Sequence, residues 1–274
     1  MGLGSFVTSA HAAPGDLVKY FPRMYLNTNG ILFDGKDLRV SYFPANPDMG
    51  VHSRIVKIDP RTGREKSSIC VHISKQKCGI FGIGGLAWDS KRSAIWAATT
   101  DFSFTEFGNY AWKVQRIDPG NGEIKETCGE VDARPMGDAF DLEYDASTDS
   151  LWLDTRAVES KRLSITDCKV IETVTVTGAV GTVSTAHDGA SCYFRFYSNP
   201  WDPKTKSNSN DSLLGQTTRD GNVLWYIDTD VHQEDSAYQP RLGRRPPLVW
   251  VVGDGDDGIR AYEVPQTRCN LNSL

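Results

Sequence analysis

The residues with most chemistry to offer are oxygen-bearing side chains placed just ahead of short apolar runs. Asn27 and Asn29 precede Gly30-Ile31-Leu32-Phe33, and Asp138 and Asp141 precede Leu142-Glu143-Tyr144. Carboxylates and side-chain carbonyls suit a hard cation such as Ca²⁺, which takes roughly six to eight oxygen ligands. Asn29, Asp138 and Asp141 are therefore a candidate metal set. A second acidic run, Asp254-Gly255-Asp256-Asp257-Gly258, lacks the Asp-x-Asp-x-Asp-Gly order and the closing Glu of a calcium loop. It lies between two strand-like runs, where an acidic hairpin turn is expected. Five histidines are present, His11, His52, His72, His187 and His232, and none stands in a His-x-His or His-Glu-x-x-His spacing. Neither a Gly-x-Ser-x-Gly nucleophile turn nor a Gly-x-x-x-x-Gly-Lys phosphate loop occurs.

A repeat must position these residues. An apolar run, an aromatic, an Asp, a polar turn and a second apolar segment occur as Gly30-Ile31-Leu32-Phe33-Asp34 then Asp37 to Val40. The pattern returns as Gly85-Leu86-Ala87-Trp88-Asp89 then Ala94-Ile95-Trp96, and as Asp141-Leu142-Glu143-Tyr144-Asp145 then Ser150-Leu151-Trp152. A weaker copy is Thr185-Ala186-His187-Asp188-Gly189 then Cys192-Tyr193-Phe194, so His187 takes the place of an aromatic, as a packing residue or a channel-side base. The Asp of each copy is suited to cap a tight hairpin turn. A second element follows: Ile55 to Pro60 with Gly63, and Val114 to Pro119 with Gly122. Arg162 to Asp167 and Leu224 to Asp228 read as degenerate copies. Alternating apolar and polar positions make this a strand with one buried face, and Asp-Pro with the later Gly closes a turn.

The two elements alternate with a repeat of about 45–60 residues, the spacing of propeller blades. A lone four-stranded sheet exposes both faces, and radial stacking buries them. The expected fold is all-β, a β-propeller of about five four-stranded blades near 27–80, 81–135, 136–178, 179–230 and 231–265. Six blades is the alternative and a two-sheet sandwich the third. The last blade shows only two clear strands, Leu248 to Gly253 and Ile259 to Val264, and the second of these is expected to pair with Leu17 to Leu26 to close the ring.

The bulk figures agree. Hydrophobic content of 39% and charge of 24% fit one folded domain, with residues 1–16 read as an arm or signal-peptide remnant and 17–274 as the propeller. Ser9-Ala10-His11-Ala12-Ala13-Pro14 has the small-x-small form of a signal-peptidase site. Six cysteines fit an oxidising compartment, so a secreted or periplasmic location is expected. Cys70 with Cys78 across a local hairpin is the preferred pair. Cys70 and Cys128 hold equivalent places on neighbouring blades, too far apart for the ~4.4–6.8 Å that a disulfide allows between Cα atoms. Net charge of -5 argues against a nucleic-acid partner, and Arg241 to Arg245 reads as a solvated loop. No apolar run is long enough for a membrane-spanning helix, so no membrane insertion is expected.

The Gly-Leu-x-Trp-Asp and Ile-Asp-Pro-x-x-Gly elements resemble those of the broad YVTN, NHL and gluconolactonase-like propeller superfamily. The likeness covers most of residues 27–265 and rests on scaffold motifs, which imply a fold and no particular activity. Propellers of this kind bind ligands at the channel mouth, which here implies Asn27, Asn29, Asp138, Asp141 and His187. Gluconolactonase-like enzymes use acidic and Asn side chains around one channel metal, and this chain lacks the Glu that they place in the opening blade. The leading expectation is a module binding a small molecule, glycan or protein. The alternatives are a metal-dependent hydrolase or lactonase with its ion at the channel mouth, and an assembly module meeting its partner through Trp201 and Tyr238.

Overall fold

The computed structural model describes residues 14–22, 28–42, 53–73, 78, 81–101, 112–131, 141–154, 159–177, 182–188, 192–198, 212–229, 233–243, 245–253 and 258–265. Their strands form five sheets, the blades of a five-bladed β-propeller. Blade 1 is β2 (Thr28–Phe33), β3 (Leu38–Tyr42), β4 (Arg54–Ile58) and β5 (Glu65–Cys70). Blade 2 is β7 (Phe81–Asp89), β8 (Ala94–Asp101), β9 (Trp112–Ile117) and β10 (Glu123–Val131), with short β6 (His72–Ile73) laid parallel on its outer edge. Blade 3 is β11 (Asp141–Asp145), β12 (Ser150–Asp154), β13 (Glu159–Ser164) and β14 (Val170–Thr175). Blade 4 is β15 (Thr182–His187), β16 (Tyr193–Ser198), β17 (Ser212–Thr217) and β18 (Val223–Thr229). Blade 5 is β19 (Gln233–Gln239), β20 (Leu248–Gly253) and β21 (Ile259–Glu263), completed by β1 (Leu17–Phe21) from the other end of the chain. The expected closure therefore holds, with Phe21 stacked on Trp250 at 5.7 Å between ring centroids.

The repeat motifs do the local work expected of them. Asp34, Asp89 and Asp145 each accept two backbone N–H bonds from their own hairpin turn, and Asp188 accepts that of Cys192. Where the third strand turns into the fourth, Asp59 accepts two such bonds and Asp118 accepts one, from Gly120. Gly122 closes one of these turns at φ 84°, and a Cβ there would run into the Cys70 carbonyl. Two assignments differ from the sequence reading. Leu224 to Asp228 belongs to β18, the outermost strand, and the third strand of blade 4 is β17, whose turn closes through Thr218 and Gly221. The Tyr226-Ile227-Asp228 run copies the letters of the motif one strand too late. Blade 5 also has a third strand of its own, the polar β19, which shows no apolar alternation to read.

Four of the five seams between blades are apolar. Ile31, Val56, Trp250 and Ala261 fill the seam between blades 5 and 1; Leu32, Ile55, Ile83 and Ile95 that between 1 and 2. Trp96, Val114, Leu142 and Leu153 fill the next, and Phe194, Leu214, Val249 and Val251 that between blades 4 and 5. Two disulfides are described. Cys70–Cys78 spans 8 residues as expected, and Cys128–Cys168 spans 40 and ties blade 2 to blade 3.

Around the axis each innermost strand has an edge with no neighbouring strand, and its N–H groups need acceptors. Asp235 of β19, fully buried, supplies them for three blades, accepting from Ile31 at 2.6 Å, Leu86 at 3.1 Å and Ser236 at 2.8 Å. Asp141 of β11 holds the equivalent position in blade 3 and accepts from Thr185 of blade 4. Asp235→Ala is expected to lower stability by about 3 kcal/mol or more, since three buried donors lose their acceptor; urea denaturation measures it. Closing a longer loop constrains the unfolded chain more, so removing Cys128–Cys168 should cost about 4 kcal/mol and removing Cys70–Cys78 about 2.5 kcal/mol. Paired Cys→Ala variants in the same assay give the order.

Candidate functional site

The seam between blades 3 and 4 is polar. Apart from the small groups Trp152, Val174, Tyr193 and Val176, Leu213, its facing side chains carry charge or hydroxyls. In blade 3, residues Asp141, Asp154 and Ser160 stand opposite one another across β11, β12 and β13. Strand alternation puts Glu143 and Asp145 on the same face as Asp141. Blade 4 answers with Thr185 and His187 of β15, and Tyr193 and Arg195 of β16.

Arg195 is 0% exposed. Its guanidinium lies 4.9 Å from the Tyr193 ring centroid and 5.6 Å from that of Trp152, and one nitrogen donates to Thr217 and to the Thr218 carbonyl. Asp154 is equally buried. Burial raises its carboxyl above the ordinary range, against the pull of Arg195, Ser160 and Thr185, none of which meets it in hydrogen-bonding geometry. Among the described residues, Arg195 Nε and Nη2, Trp152 Nε1 and both Asp154 oxygens lack hydrogen-bond partners. This seam therefore concentrates buried polar groups that the other four seams replace with apolar packing.

At the hairpin end of the axis the seam opens into a cavity of about 220 Å³. Every blade contributes its aromatic position to the wall: Phe33, Trp88, Tyr144, His187 and Tyr238. The residue before it is Leu32, Ala87, Ala186 or Ala237 in four blades and Glu143 in blade 3. Glu143 accepts the backbone N–H of His187 at 3.3 Å, as Asp141 does that of Thr185. Burial, reinforced by the negative charges of Asp145 and Asp154, pushes Glu143 well above the usual carboxylate range; the His187 N–H only partly opposes this. His187 packs against Tyr193 at 4.4 Å between ring centroids, the rings tilted by 34°, with Nδ1 3.7 Å from Asp145 and Nε2 3.9 Å from Asp188. Burial lowers its pKa despite those two carboxylates. Burial would raise Asp145 as well, but His187, Ser147 and Thr148 hold it below its ordinary value. Tyr193 and Tyr238 are both pushed up to about 12 by burial. The cavity thus shifts its acid toward the protonated form and its imidazole toward the unprotonated one.

The residues singled out from the sequence divide between the two ends of the channel. Asn29, half-buried, and Asp141, fully buried, stand at the leading end of their strands. His187 lies three to four residues further along the repeat, roughly 10–13 Å at ~3.3 Å per residue, and joins the cavity instead. Asn27 and Asp138 lie outside the described residues, as do Trp201 and Asp254 to Asp257. Tyr238 stacks on Phe194 at 5.5 Å and lines the cavity, so it is not the exposed contact expected of it. Among the described residues no cluster of three or more His, Cys, Asp or Glu could hold a metal ion. Sequence reading passed over Glu143, Asp154 and Arg195. The available signal was Glu143 itself, a charge at a repeat position that is otherwise Leu or Ala.

No protein-family model and no curated protein matches the sequence. Solved structures share the fold. The chain is similar to the glutaminyl cyclase of Myxococcus xanthus, with a TM-score of 0.53 at 14% identity, over 92% of this chain and 98% of that one. It is also similar to the tail fiber of Staphylococcus aureus phage P68, with a TM-score of 0.51 at 12% identity, over 92% of this chain and 53% of the fiber. The chain thus spans about half the length of the phage protein. At these identities the likeness establishes the β-propeller fold, and the polar seam has to be interpreted from its own residues.

A carboxyl whose folded pKa lies above its unfolded value binds more protons when folded, so stability falls as pH rises through that interval. Glu143, Asp154 and Asp235 all do this, so wild type is expected to lose stability from about pH 4, the ordinary carboxylate value, upward to their raised folded values. Glu143→Gln should flatten that slope, and urea unfolding of the two proteins at several pH values reads the difference.

Proposed function

We propose that this propeller is a ligand-binding module outside the cytoplasm, and that its site is the cavity at the hairpin end of the axis. The observation that carries this reading is Glu143, a desolvated acid in a pocket whose other walls are mainly aromatic and aliphatic. Keeping a half-buried carboxyl among such walls costs stability, and a bound partner can recover it. The cavity is below the roughly 300–1,000 Å³ of a drug-sized site, so it suits a compact molecule or the tip of a glycan or peptide. The two disulfides support an oxidising compartment.

A catalytic reading is favoured by the Glu143 and His187 pair. A carboxyl shifted toward its protonated form and an imidazole shifted toward its neutral form, lining one cavity, are suited to give a proton to one atom of a bound molecule and take one from another. The same fold carries the enzyme named for the Myxococcus xanthus protein. Asn29 and Asp141, two of the three residues proposed with Asp138 to hold a cation, lie at the opposite end of the channel; elemental analysis and a thermal shift on adding Ca²⁺ address that separately.

Thermal-shift screening of compact amines, alcohols, sugars and amides is expected to find ligands that raise the Tm of wild type by about 5–10 °C near 100-fold excess over Kd. The shift should shrink in Glu143→Gln. Conversion of a ligand by wild type and not by Glu143→Gln would establish the catalytic reading; ligand shifts unchanged by the substitution would place the site elsewhere.

A further inference from the structure

We propose that the cavity takes a small organic cation, an alkylammonium or quaternary ammonium group, seated on the Glu143 carboxylate against the aromatic walls. This rests on the reading of the cavity as the ligand site and adds the charge of the ligand.

Three observations converge on it. First, the charge lining the pocket has one sign. Glu143 and Asp188 face it, and no Lys or Arg is among its described lining residues. The guanidinium in the adjoining seam, Arg195, is buried against two rings and donates to Thr217 and the Thr218 carbonyl. An anionic guest would meet two carboxyls with no counter-charge. Second, the remaining walls present Phe33, Trp88, Tyr144 and Tyr238. Aromatic faces attract a cation through the ring quadrupole and hydrate it poorly, which selects weakly hydrated ammonium groups over metal ions. Third, Glu143 interrupts an otherwise apolar ring position. A neutral guest would leave that acid desolvated, whereas a cation restores the charge balance that burial removes.

The arrangement links binding to a proton. Asp145 and Asp154 repel a charge on Glu143, the His187 N–H favours it, and Asp188 and Arg195 stand nearby with opposite signs. The empty pocket favours the protonated form of Glu143, and a bound cation favours the ionised one, so binding is linked to release of a proton. Affinity therefore rises with pH until the empty site is itself ionised.

Isothermal titration of the full chain at constant ionic strength, with tetramethylammonium and its neutral analogue tert-butanol, tests this. Tetramethylammonium is expected to bind about tenfold tighter or more than tert-butanol. Its heat should differ between buffers of different ionisation enthalpy, which reports proton release. In Glu143→Gln, which keeps an acceptor for the His187 N–H, the preference for the cation should fall about tenfold and the buffer dependence vanish. Equal or tighter binding of tert-butanol by wild type would overturn the charge assignment while leaving the cavity as a ligand site. Binding of neither probe would remove both. The comparison of the two probes on wild type stands whether or not the variant folds.

Discussion

Strands that meet around an axis each have one side with no partner strand, and their inward N–H groups need acceptors that water cannot supply. In this propeller two carboxylates on equivalent positions of different blades do most of that work. Asp235 accepts from blades 5, 1 and 2, and Asp141 accepts from blade 4. Ser184 and Ser236 add a hydroxyl contact of 2.8 Å between blades 4 and 5. Where no carboxylate occupies the position the strands come closer: a Cβ on Gly30 would collide with the Gly84 carbonyl. Bulges at the leading ends of β2, β7, β15 and β19 turn the strands at the same height. Register, spacing and the height of the hairpin turns all follow from how the central N–H groups are answered.

The same device continues into the pocket. Glu143 accepts the His187 N–H one step further along β11, so its place is held by the backbone of the neighbouring blade as well as by its own strand. Four apolar seams supply most of the cohesion between blades, which leaves one free to be polar. That seam is held at its outer rim instead, where Glu172 of β14 accepts from Arg162 of β13 and from Arg219 in the β17–β18 turn. A polar interface between rigid sheets keeps donors and acceptors in place without the collapse that an unfilled apolar seam would undergo. Preorganised groups in a water-poor setting interact strongly with whatever charge is brought to them.

The fold was legible because blades repeat, and repetition turns weak local signals into a periodic one. Ile58-Asp59-Pro60 and Ile117-Asp118-Pro119 announce the same turn twice, and the turn Asp residues are where their spacing puts them. Legibility failed where a strand is polar for a reason lying elsewhere in the chain. Gln233-Glu234-Asp235-Ser236 has no apolar alternation because its acid answers N–H groups of residues 31 and 86. Much of the site escaped for the same cause. Asp154 and Arg195 sit in ordinary-looking strands, and they become unusual only when two blades bring them into one buried seam. His187 could be recognised as a substituted aromatic, but its neighbours Glu143 and Tyr238 required the ring to be closed.

Blade 5 takes its outermost strand from residues 17–21 and its other three from residues 233–263. Chains grow from the N-terminus at about 5–20 residues per second, so Leu17 to Phe21 leave the ribosome roughly 10–50 s before the last of their partners. Once residue 229 has been added and until blade 5 follows, blades 1 to 4 can form only an open arc, with the Ile31 and Val56 face at one end and the Phe194 and Leu214 face at the other both uncovered. Each face is complementary to blade 5 and to nothing else in the arc. The ring thus keeps two sticky ends apart until residues 233–263 arrive, and synthesis itself sets the moment at which the axial pocket comes into being.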